Sequence, residues 1–103
     1  DPDDVLVMMR TWQLGDISAS REFGHDIGRA LANIKCIVMV APSETDLYVP
    51  PEDSEKEVKA MGMGPARLEV VPSIWGRWAG GDGSLDDWKF LDEKMGNLFL
   101  GEV

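Results

Sequence analysis

Lys35-Cys36-Ile37-Val38-Met39-Val40-Ala41 is the stretch that decides the fold class of this chain. After Lys35 every residue is apolar, two are valines and one is isoleucine, and polar residues lie close on either side. A run this short reads as a strand, and apolar residues at successive positions predict burial on both faces. Pro42-Ser43-Glu44-Thr45-Asp46 then reads as a loop. Pro50 and Pro51 suit the start of a helix, where no amide hydrogen is needed. That helix is expected over 52–61, with Glu52/Lys56 and Glu55/Lys59 as i,i+4 pairs on its wet face and Gly62 and Gly64 at its end. Arg67-Leu68-Glu69-Val70-Val71 is a second strand. A strand–helix–strand unit joins parallel strands through a right-handed crossover.

Outward from this unit the pattern is helical. Val5, Met8, Met9 and Trp12 recur at i, i+3, i+4 and i+7, with Asp3 and Asp4 at the positive end of the helix dipole and Gly15-Asp16 as the stop. A polar loop over 17–25 leads to a short helix over 26–32, with Ile27, Ala30 and Leu31 facing inward. After a Gly/Trp-rich loop over 72–84, Asp86 or Asp87 is the expected cap of a last helix. Its apolar face is Trp88, Leu91, Met95, Leu98 and Phe99. The order is helix-helix-strand-helix-strand-helix, an α/β pattern with two parallel strands. Two strands make too small a sheet to stand alone. Residues 1–103 therefore read as a partial domain, the C-terminal portion of a larger α/β fold. The expected partners are a second copy, by self-association, or a chain that supplies the missing sheet.

Composition narrows the function. The 103 residues carry 10 Lys+Arg against 19 Asp+Glu, a formal charge of −9. That balance disfavours nucleic acid and anionic membrane. No apolar stretch approaches the roughly 18 residues of a membrane span, and Asp1-Pro2-Asp3-Asp4 has the wrong charge for a secretory signal, so a cytoplasmic location is expected. A single cysteine, Cys36, excludes an internal disulfide; placed in a buried strand it reads as a small hydrophobe. His25 is the one histidine, too few for a histidine-based metal site, and reads as a surface or locally bonded side chain. Trp75, Trp78 and Trp88 are expected to pack in the core, and the carboxylates at 82, 86, 87, 92 and 93 to be solvated. Gly80-Gly81-Asp82-Gly83 lacks the Lys of a phosphate-binding loop.

In parallel α/β sheets, ligand-binding groups lie beyond the carboxyl ends of the strands. Two loops qualify here: residues 43–51 after the first strand and 72–81 after the second. An acid in the first and a base in the second would be the last two members of a Ser…Asp…His triad in hydrolase order. The acid orients the imidazole and the imidazole moves the proton.

Asp46-Leu47-Tyr48-Val49-Pro50-Pro51-Glu52-Asp53, followed by Ile74-Trp75-Gly76-Arg77-Trp78-Ala79-Gly80-Gly81, resembles the C-terminal part of the homoserine O-acetyltransferase-like α/β-hydrolases. The match is to fungal-type members with Trp-Gly-His-Trp-Ala-Gly-Gly at the second site. Thr11-Trp12-Gln13-Leu14-Gly15-Asp16 resembles the segment that re-enters the core after that family's lid. The resemblance implies a serine nucleophile that takes an acyl group from acetyl-coenzyme A and passes it to a hydroxyl, or hydrolyses an ester. It needs no resident cofactor or metal. It also implies that Asp46 is the triad acid; the alternative is a loop Asp bonded to its own backbone. Arg77 stands where the family has its catalytic histidine. A guanidinium stays protonated and is no general base, although it could pair with Asp46. None of Ser18, Ser20, Ser43, Ser54, Ser73 and Ser84 has glycines at both −2 and +2, so the nucleophile elbow is missing. Three readings remain open: an enzyme fragment inactive alone, a non-catalytic binding protein built on the fold remnant, and a hydrolase completed by another chain.

Overall fold

The computed structural model describes residues 1–62, 64 and 66–101. Its elements are α1 (Pro2–Gln13), α2 (Ile27–Ala32), β1 (Val38–Val40), α3 (Pro51–Ala60), β2 (Ala66–Leu68), a 3-10 turn at Gly76–Trp78 and α4 (Leu85–Leu100). β1 and β2 pair in parallel, Val38 opposite Ala66 and Val40 opposite Leu68. The α/β pattern with two adjacent parallel strands is therefore present, and α3 connects them and packs against β2 and α2.

Both strands are shorter than expected. The ladder nevertheless continues past them: the Glu69 amide donates to the Val40 carbonyl at 2.9 Å, the Val71 amide to Pro42 at 2.8 Å and the Glu44 amide to Val71 at 3.0 Å. β1 is half-buried, not covered on both faces. Ile37 is exposed, and so is Cys36, which lies outside the strand. Burial on both faces needs a strand neighbour on each edge and covering layers above and below. Among the described residues β1 has one neighbour.

The helix ends follow local chemistry. Pro50 is the extended residue before α3, and Pro51 is its first helical residue. Gly62, at a φ of 75°, takes the left-handed turn that follows the helix. Lys59 pairs with Glu55 at 3.5 Å, but Lys56 takes Asp53 at 2.7 Å instead of Glu52. Ser84, not Asp86 or Asp87, caps α4; its hydroxyl accepts from the Asp87 amide at 3.1 Å. A hydroxyl three residues ahead of that amide meets it directly, which leaves both acids in the first turn.

Among the described residues the buried apolar ones are Ala30, Leu31 and Val71. Ile27 is exposed, a departure from its expected inward position. α1 buries nothing: Val5, Met8, Met9 and Trp12 form the expected stripe, and all four are open to solvent, Met8 by 71 %. On α4, Leu91 and Leu98 are half-buried while Trp88, Met95 and Phe99 are exposed. Trp75 and Trp78 are exposed as well, against the expectation of core packing. The radius of gyration is 16.0 Å, where a compact chain of this length would have about 13 Å. Each large apolar side chain left in water forgoes roughly 1.5–3 kcal/mol of burial.

Candidate functional site

The loops at the carboxyl ends of β1 and β2 meet through one hydroxyl. Thr45 Oγ1 donates to the Ser73 carbonyl at 2.7 Å and accepts from the Gly76 amide at 2.9 Å. Gly76 has a φ of 54°, and a Cβ there would lie 3.2 Å from the Thr45 carbonyl oxygen. Glycine alone suits both the left-handed backbone and the close approach. This contact brings the Asp46 loop and the Arg77 turn to the same end of the sheet.

Asp46 and Arg77 both line a groove of about 380 Å³, together with Val40, Ser43, Val49, Glu57, Val71 and Leu91. That volume falls within the range of small-molecule sites. One carboxylate oxygen of Asp46 accepts from the Tyr48 amide at 2.8 Å and the Val49 amide at 3.2 Å. The local backbone bonding weighed as the alternative for Asp46 is thus present. It occupies Oδ1, and among the described residues Oδ2 has no hydrogen-bond partner. No ion pair joins Asp46 to Arg77 among those residues. The guanidinium lies over the Tyr48 ring instead, 4.7 Å from its centroid, and Tyr48 also stacks on Trp12 with centroids 5.7 Å apart. A cation on a ring face gains about 0.5–1 kcal/mol at an exposed site.

The turn that carries Arg77 is anchored by a buried pair that the sequence did not single out. Ser73 Oγ donates to Asp87 Oδ2 at 2.6 Å, and the Gly80 amide donates to the same oxygen at 3.1 Å. The Ser73 oxygen in turn accepts from the Trp75 amide at 3.2 Å. Ser73 and Asp87 are both buried, so Asp87 is not the solvated helix-start charge it was expected to be. The Ser73 hydroxyl, then burial acting in the opposite sense, then the Gly80 amide set its acidity; the net effect is a pKa below the usual 3.8. A carboxylate held that low is a poor proton acceptor, so the pair positions the loop and does not activate Ser73 as a nucleophile. The signal for it was thin: Ser73 lies in the loop after the second strand, and Asp87 sits in a helix's first turn.

His25 lies in another cluster. Its Nδ1 is 3.0 Å from Asp16 Oδ2, while Asp16 Oδ1 accepts from the Ser18 hydroxyl at 2.6 Å and amide at 2.8 Å. Those bonds, the Ser18 hydroxyl first and His25 next, lower the Asp16 pKa to about 2. His25 does not line the groove, in keeping with a locally bonded side chain. Among the described residues no group of three or more His, Cys, Asp or Glu converges on a metal-sized site, and no helix is long and apolar enough to cross a membrane.

The groove thus holds an acid and a cation at the carboxyl ends of two parallel strands, with no histidine among the described residues that line it. An ethyl acetate hydrolase from Pseudomonas veronii is 37% identical over 59 residues, which make up 57% of this chain and 16% of that protein. The matched stretch thus spans about a sixth of the relative's length. No family model matches the chain, and no solved structure matches it significantly. The similarity supports a hydrolase-like character. It does not extend to homoserine O-acetyltransferases.

Thr45 and Tyr48 lie in the loop expected to bind ligand, but the residues alone assigned no role to either, nor to Glu57 on α3. Thr45 adjoins Asp46 and Tyr48 lies two residues on, but their bonds reach Ser73, Gly76, Trp12 and Arg77, contacts that no local pattern encodes.

Proposed function

We propose that this chain is the acid-bearing part of an ester-processing α/β-hydrolase, with Asp46 as the triad acid and Arg77 at the position of the base, and that it is inactive alone. The observation that carries this reading is the convergence of Asp46 and Arg77, from separate loops, on one groove at the carboxyl ends of parallel strands. The esterase similarity supports the reaction class. Acyl transfer from acetyl-coenzyme A is the finer reading that the resemblance adds. The groove lining offers one cation, Arg77, against Asp46 and Glu57, a poor fit to a donor that carries several phosphates. Ester hydrolysis is therefore the activity we favour.

Hydrolysis by this route needs a serine, a base to take its proton, and an oxyanion hole. Asp46 can only orient a base that Arg77 does not provide. The chain alone is expected to leave a p-nitrophenyl ester untouched and to resist labelling by a fluorophosphonate. Arg77→His alone should restore nothing. Supplied with a nucleophile-bearing hydrolase portion, the Arg77→His form should turn over at least about a thousandfold faster than the Arg77 form. Stoichiometric labelling of the chain alone, or equal turnover by the two complemented forms, would overturn the proposal.

A second reading, non-catalytic binding through the same groove, draws on the seat of Arg77 over Tyr48. A guanidinium held on a ring face, without a carboxylate across from it, is available to a ligand. A complemented Arg77→His form that stays inactive would favour this reading.

A further inference from the structure

The polar groups of the groove are only partly used by the chain's own bonds. Ser43 lines the groove and is 7 % exposed, and its Oγ, shut off from water, meets no hydrogen-bond partner among the described residues. Asp46 spends Oδ1 on the Tyr48 and Val49 amides and keeps Oδ2 for another donor. Arg77 rests on the Tyr48 ring, a contact that leaves its N–H groups to other acceptors. Ser54, buried, and Glu57, three residues on, add a hydroxyl and a carboxylate from one face of α3. Val40, Val49, Val71 and Leu91 give the same groove an apolar wall. Buried hydroxyls are normally satisfied, so one left open in the wall of a groove points to an oxygen that arrives from outside. At about 380 Å³ the groove holds far more than the roughly 30 Å³ of a single water.

Charge and bonding capacity narrow the ligand. Asp46 and Glu57 outnumber Arg77, which disfavours an anion. Asp46 needs a donor, Arg77 needs an acceptor, and the Ser43 hydroxyl serves as either. Neighbouring hydroxyl groups supply donor and acceptor together and bring no charge. We propose that the groove is a binding site for a small neutral compound with several hydroxyl groups, of sugar or polyol chemistry. One ligand hydroxyl donates to Asp46 Oδ2, a second oxygen accepts from Arg77, a third meets Ser43 Oγ, and the carbon frame lies against the apolar wall. The inference rests on the binding reading of the groove, whose ligand class it names, and it needs no turnover.

The test titrates the full chain, labelled with nitrogen-15, through the millimolar range with glucose, glucuronate, glucosamine and cyclohexanol. Glucose should shift the Tyr48, Val49, Val71 and Gly76 amides saturably. Glucuronate, which adds a negative charge, and cyclohexanol, which keeps a ring with one hydroxyl, should each bind at least about tenfold more weakly. Glucosamine, cationic near pH 6, should gain less than about tenfold over glucose, because Arg77 shares the groove. Ser43→Ala removes a hydroxyl that bonds nothing among the described residues, so the melting temperature should hold while glucose binds about tenfold more weakly. Asp46→Asn keeps an oxygen for the Tyr48 and Val49 amides and removes the charge, so glucuronate should come within about threefold of glucose. Glucuronate equal to glucose in the native chain, a larger gain for glucosamine, or full affinity in Ser43→Ala would overturn the proposal. Equal binding of all four compounds would overturn it too, while leaving the groove as a binding site. No shift with any of them would overturn the proposal and the binding reading together, the open hydroxyl then being served by water.

Discussion

The loops at the carboxyl ends of the strands and the N-terminal helix satisfy themselves to very different degrees. Thr45 ties the Asp46 loop to the Arg77 turn, and the buried Ser73–Asp87 pair holds that turn from beneath. α1 has a capped N-terminus and a well-formed apolar stripe, yet buries no residue. Polar bonds between neighbouring loops need only the few residues that make them. Apolar burial needs a second surface, and the stripe of α1 stays exposed even though Trp12 stacks on Tyr48. The candidate site is therefore built from within the chain, while the periphery is left in water.

Substitutions should divide along the same line. The largest effect is expected at Asp87. Asp87→Ala leaves the Ser73 hydroxyl and the Gly80 amide without an acceptor, and hydrogen bonds to charged groups are among the stronger ones. Protection of the Gly80 amide against hydrogen exchange should fall roughly a hundredfold. An unchanged Gly80 would mean that the turn is held by something other than this pair.

Thr45→Val keeps the shape and removes the hydroxyl that joins the two loops. The Gly76 amide should lose about tenfold in protection, the scale of one neutral hydrogen bond. If the Asp46 and Arg77 loops separate, fluorescence from Trp75 and Trp78 should report it.

Acid tests a third cluster. Asp16 has its pKa lowered from 3.8 to about 2 by the Ser18 hydroxyl and His25, so its bonds contribute stability above about pH 4 and lose it as the pH falls toward 2. The Ser18 amide resonance should titrate with a midpoint near 2. A midpoint near 3.8 would show the cluster open in solution.

The smallest effect belongs to α1. Met8→Lys, on its exposed stripe, should change the protection of Gly76 and Gly80 by less than about twofold, because surface substitutions away from buried groups cost within about 0.5 kcal/mol. It should reduce binding of an apolar dye. A large loss of protection in the loops would show that α1 is packed in a way its exposure contradicts.

Element type was legible in the residues wherever the signal was local. The apolar run around Val38–Val40, the two prolines before α3 and the i, i+3, i+4 stripe of α1 each act within a few positions. The adjacency of β1 and β2 followed from the strand–helix–strand order. The loops bearing Asp46 and Arg77 could be placed at one end of the sheet, because parallel strands put their carboxyl ends together. Asp46 itself came from the resemblance, not from any periodicity.

What the sequence determined by itself is the set of local choices: helix, strand, cap and turn, each decided by backbone sterics and short-range hydrogen bonds. Only the tertiary structure decided which apolar faces are covered, that Arg77 turns to Tyr48 and not to Asp46, and that Asp87 is buried beneath the turn. Those outcomes depend on surfaces brought together from distant positions, and α1 shows that a helix pattern can be complete while its partner surface is not in contact.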